Sequence, residues 1–130
     1  MLDTDTLSLL MRRDPAVATH AQDYLKERPI FTFSIITRYE ILRGLKAKRA
    51  TIQLQAFEKF CDASDIIGIS DDVITKASEI YADLYQTGNL IGDADILIAA
   101  TALVNDQLLI TNNERHFNRI KNLKLGNWTK

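Results

Sequence analysis

The sequence is short of the residues that build several common kinds of site. Its 130 residues include one cysteine and two histidines, and the formal net charge is only −1. The lone cysteine excludes an internal disulfide and, because no cleavable leader opens the chain, indicates a reducing, cytoplasmic compartment. The histidines are too far apart for zinc-ligand spacing. With so little net charge, a nucleic-acid partner would have to be bound by a local patch or through metal.

Long apolar runs are also missing. None approaches the roughly 20 residues that span a bilayer, so we expect no membrane partner. The hydrophobic content of 46% is nevertheless enough for a substantial core. Because there are no repeats, low-complexity tracts or linkers, the sequence predicts one domain over residues 1–130.

Short β-like runs alternate with helical segments along the chain. This alternation predicts an α/β fold in which helices connect parallel strands. Helix starts are predicted at Asp14-Pro15, Ser34 and Ser70. The predicted strands are residues 1–3, 30–33, 66–69 and 108–111, with a last edge strand in the closing tail. The predicted helices are residues 6–12, 15–26, 34–44, 47–62 and 70–88, and a further helix begins at residue 93.

The helix from Asp93 carries two carboxylates at the start of an otherwise apolar body, Ile96 to Leu103. A helix that is apolar on nearly every face is buried. We interpret Asp93 as the N-cap and Asp95 as a first-turn residue. Because capping needs only one acid, Asp95 is predicted to be a carboxylate near the interior that requires a partner such as a metal ion. The alternative is that both acids only stabilise the helix start.

Other polar residues are predicted to meet Asp95 at one edge of the sheet. Asp3 ends the first strand, Asn112 and Asn113 follow the strand that ends at Thr111, and Glu40 lies about two turns into a helix. Ligand sites of parallel sheets lie in the crevice at the carboxyl ends of the strands. Three carboxylates and an amide offer only oxygen ligands, which suit Mg²⁺ or Mn²⁺ rather than zinc.

Four motifs in this order resemble the PIN-domain ribonucleases, specifically the VapC-type toxins of type II toxin–antitoxin systems. They are Leu2-Asp3-Thr4-Asp5, Tyr39-Glu40-Ile41-Leu42-Arg43-Gly44, residues 91–100 around Gly92-Asp93-Ala94-Asp95, and residues 109–117 around Thr111-Asn112-Asn113. The resemblance covers essentially the whole chain. Carried over by position, it makes Asp3, Glu40 and Asp95 the metal carboxylates and the catalytic acids, and adds Asn113 where many relatives have a fourth acid.

The resemblance implies a three-layer α/β/α PIN-like domain with a central, mostly parallel sheet of about five short strands. It implies a divalent-metal-dependent endoribonuclease that uses Mg²⁺, or Mn²⁺, and leaves a 5′-phosphate and a 3′-hydroxyl on its RNA substrate. Whether Glu40 or Asp95 orients the attacking water stays open. A VapB-like antitoxin whose C-terminal Arg-bearing segment blocks the acidic crevice and a homodimer are the implied partners.

This sequence departs from the family pattern at three places. Asp5 replaces the usual Asn, and an amide replaces the fourth acid at Asn113, where we expect it to position water or metal. Only two residues precede Asp3, so either the start of the chain is misassigned or the first strand is short. Asp5, Asp93 and Thr37 are candidates for residues that contact the metal ligands and orient them.

Basic residues flank Glu40 in sequence. Arg43, Arg38 and Lys46 are the candidates for contacts with RNA phosphates. The alternative is an ordinary solvated helix face, since surface Lys and Arg are common.

Two other functions fit parts of the sequence. Asp3-Thr4-Asp5 matches the Asp-x-Asp start of haloacid-dehalogenase-like phosphatases, in which the first aspartate is phosphorylated. Leu7 stands where those enzymes have Thr or Val, and the chain is short for that fold. The other alternative is a catalytically silent PIN scaffold that acts as a binding module.

Overall fold

The structure, a computed structural model, describes all residues from 1 to 130. Seven helices and four short strands alternate along the chain. The helices are Thr4–Met11 (α1), Pro15–Glu27 (α2), Ile35–Ala47 (α3), Thr51–Asp62 (α4), Asp71–Gln86 (α5), Asp93–Val104 (α6) and Glu114–Phe117 (α7), and the strands are Thr32–Ser34 (β1), Asp65–Ile67 (β2), Leu109–Ile110 (β3) and Leu125–Gly126 (β4). No helix combines the length and the apolarity needed to cross a membrane.

Leu2 joins the strands into one parallel sheet. β1 pairs with β2 and β3 with β4, and Leu2 forms parallel bridges to Phe33 on one side and to Ile110 on the other. The backbone N–H of Leu2 donates to Thr32 at 2.8 Å, and that of Asp3 donates to Ile110 at 3.0 Å. The order across the sheet is therefore β2, β1, Leu2, β3, β4, which confirms the predicted parallel arrangement of about five short strands.

Helices cover both faces of this sheet because side chains alternate along each strand. Met1 and Leu109 contact the core formed with α5 and α6, whereas Leu2 and Ile110 contact the core formed with α1, α2 and α4. The two cores correspond to the two outer layers of the predicted α/β/α domain. Cys61 is a buried member of the second core, as expected of a packed thiol.

Several predicted helix starts are confirmed. The side chains of Asp14, Ser34 and Ser70 each accept a hydrogen bond from the backbone N–H three residues later. The predicted start of α1 at residue 6 is wrong, because Asp3 itself is the N-cap and its carboxylate accepts from the N–H of Thr6 at 2.8 Å. The first helix therefore begins directly after the central Leu2 bridge.

Asp93 is not the N-cap that the sequence predicted for α6. Gly92 occupies that position in an extended conformation, with φ −64° and ψ 154°, and Asp93 is already helical. Asp93 and Asp95 both lie in the first turn, and the helix has no side-chain cap. Their negative charges still interact favourably with the positive end of the helix dipole.

Candidate active site

The predicted acids, from the N-cap of α1 and from α3 and α6, face one polar cleft. Its volume is about 490 Å³, and none of the residues around it is apolar. The cleft is lined by Asp3, Thr4, Asp5, Ser8, Glu40, Asp95, Asn112 and Asn113. It lies where Leu2 and β3 end, so the short strands bring α1 and the residues after Ile110 to the same edge of the sheet.

Asp3 is the most deeply buried of the three acids, with 4% of its surface exposed. Burial raises the pKa of its carboxyl, while the Thr111 side chain and the backbone N–H of Thr6 act in the opposite direction. Asp3 is thus both the N-cap of α1 and a buried carboxylate that lines the cleft. Its charge is costly at this depth without a counter-ion.

Glu40 has a different partner at each carboxylate oxygen. The hydroxyl of Thr4 lies 2.6 Å from Oε1, and Nη2 of Arg43 lies 3.5 Å from Oε2. The Glu40 side chain is 18% exposed and that of Arg43 is 59% exposed. The first contact therefore joins α1 to α3 at the cleft, and the second is a surface contact within α3.

Asp95 is half-buried at the start of α6. Burial raises the pKa of its carboxyl, as does the charge of Glu40, while the neighbouring His116 acts in the opposite direction. Glu40 and Asp95 line the same cleft, so their like charges repel one another. Such a pair favours the entry of a cation.

Asn113 lines the cleft and is held by two neighbours. Its backbone N–H donates to the hydroxyl of Thr111 at 2.8 Å, and its side-chain nitrogen lies 2.8 Å from Nδ1 of His116. Because the amide nitrogen is a donor, it pairs with a His116 ring whose Nδ1 carries no proton. The remaining amide oxygen of Asn113 has no protein partner and is available to the cleft.

The candidate supporting residues differ in position. Asp5 is exposed at the cleft, and Thr37 is fully buried with its hydroxyl 3.1 Å from that of Thr4. Asp93 is exposed and is not among the residues that line the cleft. Of the three candidates, Asp93 is therefore the one that is not brought to the cleft or its hydrogen-bond network.

The three basic candidates lie on different parts of α3. Arg43 does not line the cleft, but its Nη2 lies 3.5 Å from Oε2 of Glu40, and its guanidinium lies over the ring of Tyr39, 5.2 Å from the centroid. Arg38 instead donates to Glu58 of α4 at 2.8 Å, and Lys46 also faces Glu58. None of the three lines the cleft, but Arg43 is the one that contacts a cleft acid, so Arg43 is the best placed of them for an RNA phosphate beside the acids.

Thr4 and Thr111 were not singled out from the sequence, although both touch the predicted acids. Each is the immediate neighbour of a residue that was singled out: Thr4 follows Asp3, and Thr111 precedes Asn112. A hydroxyl residue at the carboxyl end of a parallel strand is a usable signal, because that end of each strand faces the same crevice. Which acid it touches depends on packing between distant elements.

The PIN domain family model matches residues 1–123. The chain belongs to the PIN-domain family. Ribonuclease VapC1 of Methanocaldococcus jannaschii is 36% identical over 108 residues, covering 79% of this chain and 77% of the relative. Ribonuclease VapC2 of Rickettsia felis is 30% identical over 131 residues, covering 100% of this chain and 98% of the relative. Within the family, the chain is therefore a VapC-type ribonuclease.

Solved structures give the same classification. The chain matches VapBC2 of Rickettsia felis, bound to a DNA fragment from its promoter, with a TM-score of 0.87 and 29% identity over 98% of this chain and 97% of the other. It matches VapBC-1 of nontypeable Haemophilus influenzae with a TM-score of 0.88 and 27% identity over 100% and 98%. The α/β PIN fold is confirmed, and the phosphatase alternative is wrong.

Proposed function

We propose that this VapC-type toxin hydrolyses RNA phosphodiester bonds with a Mg²⁺ or Mn²⁺ ion held by Asp3, Glu40 and Asp95. The observation that carries the proposal is the convergence of three acids, from the N-cap of α1 and from α3 and α6, on one wholly polar cleft. Carboxylate and amide oxygens are the ligands that these hard cations prefer. RNA and such cations are both abundant in the cytoplasm, where we expect the protein to act.

The residues fit a divalent cation by their chemistry. Two of the acids, Asp3 and Asp95, have pKa values raised mainly by burial, so that an ion would relieve an existing electrostatic cost. No three Asp, Glu, His or Cys side chains form a closed ligand set in this structure.

The cation, when bound, supplies charge neutralisation at the phosphoryl group and lowers the pKa of water. The protein side chains supply orientation. Thr6 and Thr111 hold the Asp3 carboxylate in place, and the free amide oxygen of Asn113 is suited to accept a hydrogen bond from water. Either Glu40 or Asp95 orients that water and accepts its proton.

We further propose that a VapB-like antitoxin inhibits the site with an extended segment. A second groove of about 450 Å³ lies between α1, α3 and α4 and shares Thr4, Ser8 and Glu40 with the acidic cleft. Its apolar side chains include Met11, Ile41, Leu45 and Phe57. A segment with apolar residues in this groove and an arginine in the cleft would cover both. The matched VapBC structures are toxin–antitoxin complexes, which supports an antitoxin as the partner.

We also propose a homodimer, for which the exposed face of α5 is the surface we would test. Ile74, Tyr81 and Tyr85 are all exposed, and the two tyrosine rings stack with their centroids 6.1 Å apart. Exposed apolar clusters of this kind are common at subunit interfaces. Light scattering of the wild type and of Tyr85→Ser should give a dimer and a weakened dimer, respectively.

The central experiment measures cleavage of a single-stranded RNA by the purified toxin after its metal has been removed. Added Mg²⁺ or Mn²⁺ should restore cleavage, and excess EDTA should abolish it without unfolding the protein. The Glu40→Gln variant is the control for contaminating ribonuclease. Full activity in EDTA, or equal activity of the control, would disprove the mechanism, and a folded toxin that never cleaves RNA would support the silent scaffold.

A further inference from the structure

The hydroxyl of Thr4 has no structural task in its own helix. Thr4 is the first residue of α1, and that helix is already capped by the carboxylate of Asp3. The hydroxyl contacts only two other side chains, Thr37 and Glu40, and both belong to α3. Its contacts therefore serve the junction between the helix that follows Asp3 and the helix that carries Glu40.

The number of protons fixes the direction of these contacts. A carboxylate can only accept, so the 2.6 Å contact requires Thr4 to donate to Oε1 of Glu40. A hydroxyl has one proton, so at 3.1 Å Thr4 must accept from the hydroxyl of Thr37. Thr37 is fully buried, and its backbone N–H donates to Ser34 at the start of α3. The result is a directed chain from Thr37 through Thr4 to Glu40.

The two partners of Glu40 act on its carboxylate in opposite ways. Thr4 is neutral, so it fixes the direction of the carboxylate without reducing its negative charge. Arg43 is positively charged, so it partly neutralises Glu40 and attracts Oε2 toward the exposed side of α3. Without the Thr4 hydroxyl, Arg43 would be the remaining partner, and Glu40 would be drawn away from the cation.

We propose that Thr4 is the positioning residue of Glu40, that Thr37 orients the Thr4 hydroxyl, and that Arg43 competes with the cation for Glu40. This inference rests on the proposed metal-dependent function. It assigns to the threonine beside Asp3 a role that acts through an acid in another helix. It also gives Thr37 a specific task, since Thr37 reaches Glu40 only through Thr4.

The test measures Mn²⁺ affinity by titration calorimetry in the absence of RNA. Thr4→Val removes the hydroxyl with little change in shape, and we expect it to weaken Mn²⁺ binding about tenfold or more, as losses of such supporting hydrogen bonds do. Thr4→Ser keeps the hydroxyl and should stay within about threefold of the wild type. Thr19→Val is the matched control, since the Thr19 hydroxyl contacts only the Pro15 carbonyl on exposed α2.

The competition with Arg43 is tested by combining two variants. Arg43→Ala should raise Mn²⁺ affinity more in the Thr4→Val background than in the wild type, whereas a purely structural role for Thr4 predicts equal gains in both. Circular dichroism establishes that each variant is folded. Wild-type affinity in Thr4→Val, or an equal loss in Thr4→Ser, would overturn the inference while leaving the proposed function intact. If the wild type and Glu40→Gln bind Mn²⁺ equally, the proposed function itself fails, and this inference fails with it.

Discussion

The imidazole of His116 faces the carboxylate of Asp95, with Nδ1 3.6 Å from Oδ2. The same nitrogen lies 2.8 Å from the side-chain nitrogen of Asn113. Because Nδ1 carries either a lone pair or a proton, it accepts from Asn113 in one state and donates toward Asp95 in the other. His116 therefore links two residues of the cleft and affects the charge of one of them.

Replacing His116 with Leu should shift the pH dependence of cleavage. His116 lowers the pKa of Asp95 against the opposing effects of burial and of Glu40. Without it, the pKa of Asp95 rises further, so the acid limb of the rate profile in Mg²⁺ should move to higher pH. The exposed neighbour Arg115→Leu is the control. An unchanged acid limb in His116→Leu would show that the imidazole does not influence the ionisation that matters.

Asp95→Asn should separate folding from activity. Asp95 provides no side-chain cap to α6, so the substitution removes charge at little structural cost. We expect RNA cleavage to fall by at least about a hundredfold while the thermal midpoint is maintained. Asp93→Asn in the same helical turn should cleave normally. The opposite pattern in the two variants would move the metal ligand from Asp95 to Asp93.

Asp3→Asn and Asp5→Asn should differ in the same assay. Asp3 is buried and touches Thr6 and Thr111, whereas Asp5 is exposed at the cleft. We expect Asp3→Asn to be inactive with Mg²⁺ and Asp5→Asn to keep most of its activity. Paired cleavage rates and metal titrations measure the difference. Activity in the first variant and none in the second would mean that the two acids have exchanged roles.

Asp3→Asn should also change how stability depends on pH in the metal-free protein. Because burial raises the pKa of Asp3 above its ordinary 3.8, the folded state binds this proton more tightly than the unfolded chain. Its stabilising contribution is complete below the ordinary value and is lost as pH rises through the raised value. Asp3→Asn should therefore be more stable than the wild type at pH 7, with the gap closing as pH falls. Denaturation at several pH values tests this, and a constant gap would contradict it.

Arg43→Ala should weaken RNA binding and reduce its salt dependence. An exposed arginine beside the acids is placed for one phosphate contact, and each such contact with a single strand contributes about −0.7 to the logarithmic salt slope. Arg38→Ala is the control, since Arg38 is paired with Glu58. Affinities for RNA should be measured at several salt concentrations on the Glu40→Gln background. Equal slopes for both variants would exclude a phosphate contact by Arg43.

The sequence predicts the layers of this fold better than the boundaries of its elements. Ser34 and Ser70 cap helices as predicted, because a hydroxyl before an apolar-periodic segment is a local signal. The choice between Gly92 and Asp93 as the cap of α6 depends on backbone angles, which residue type alone does not determine. Strands of two or three residues are likewise too short for periodicity to define their ends.

For the site, the motifs predicted the acids but not what holds them. Asp3, Glu40 and Asp95 face one cleft because the ends of parallel strands meet at one edge. The hydrogen bond from Thr4 to Glu40 joins residues 36 positions apart, so no local sequence pattern predicts it. Arg38 and Arg43 are equally basic in sequence, and only the packing of α4 against α3 distinguishes their roles.

The order of these contacts along the chain has a consequence for synthesis. Asp3 precedes Thr111 and His116 by more than 100 positions, although Thr111 orients Asp3 and His116 faces Asp95. A nascent chain on the ribosome therefore carries its acids well before it can arrange them, and we expect truncations before Thr111 to cleave no RNA.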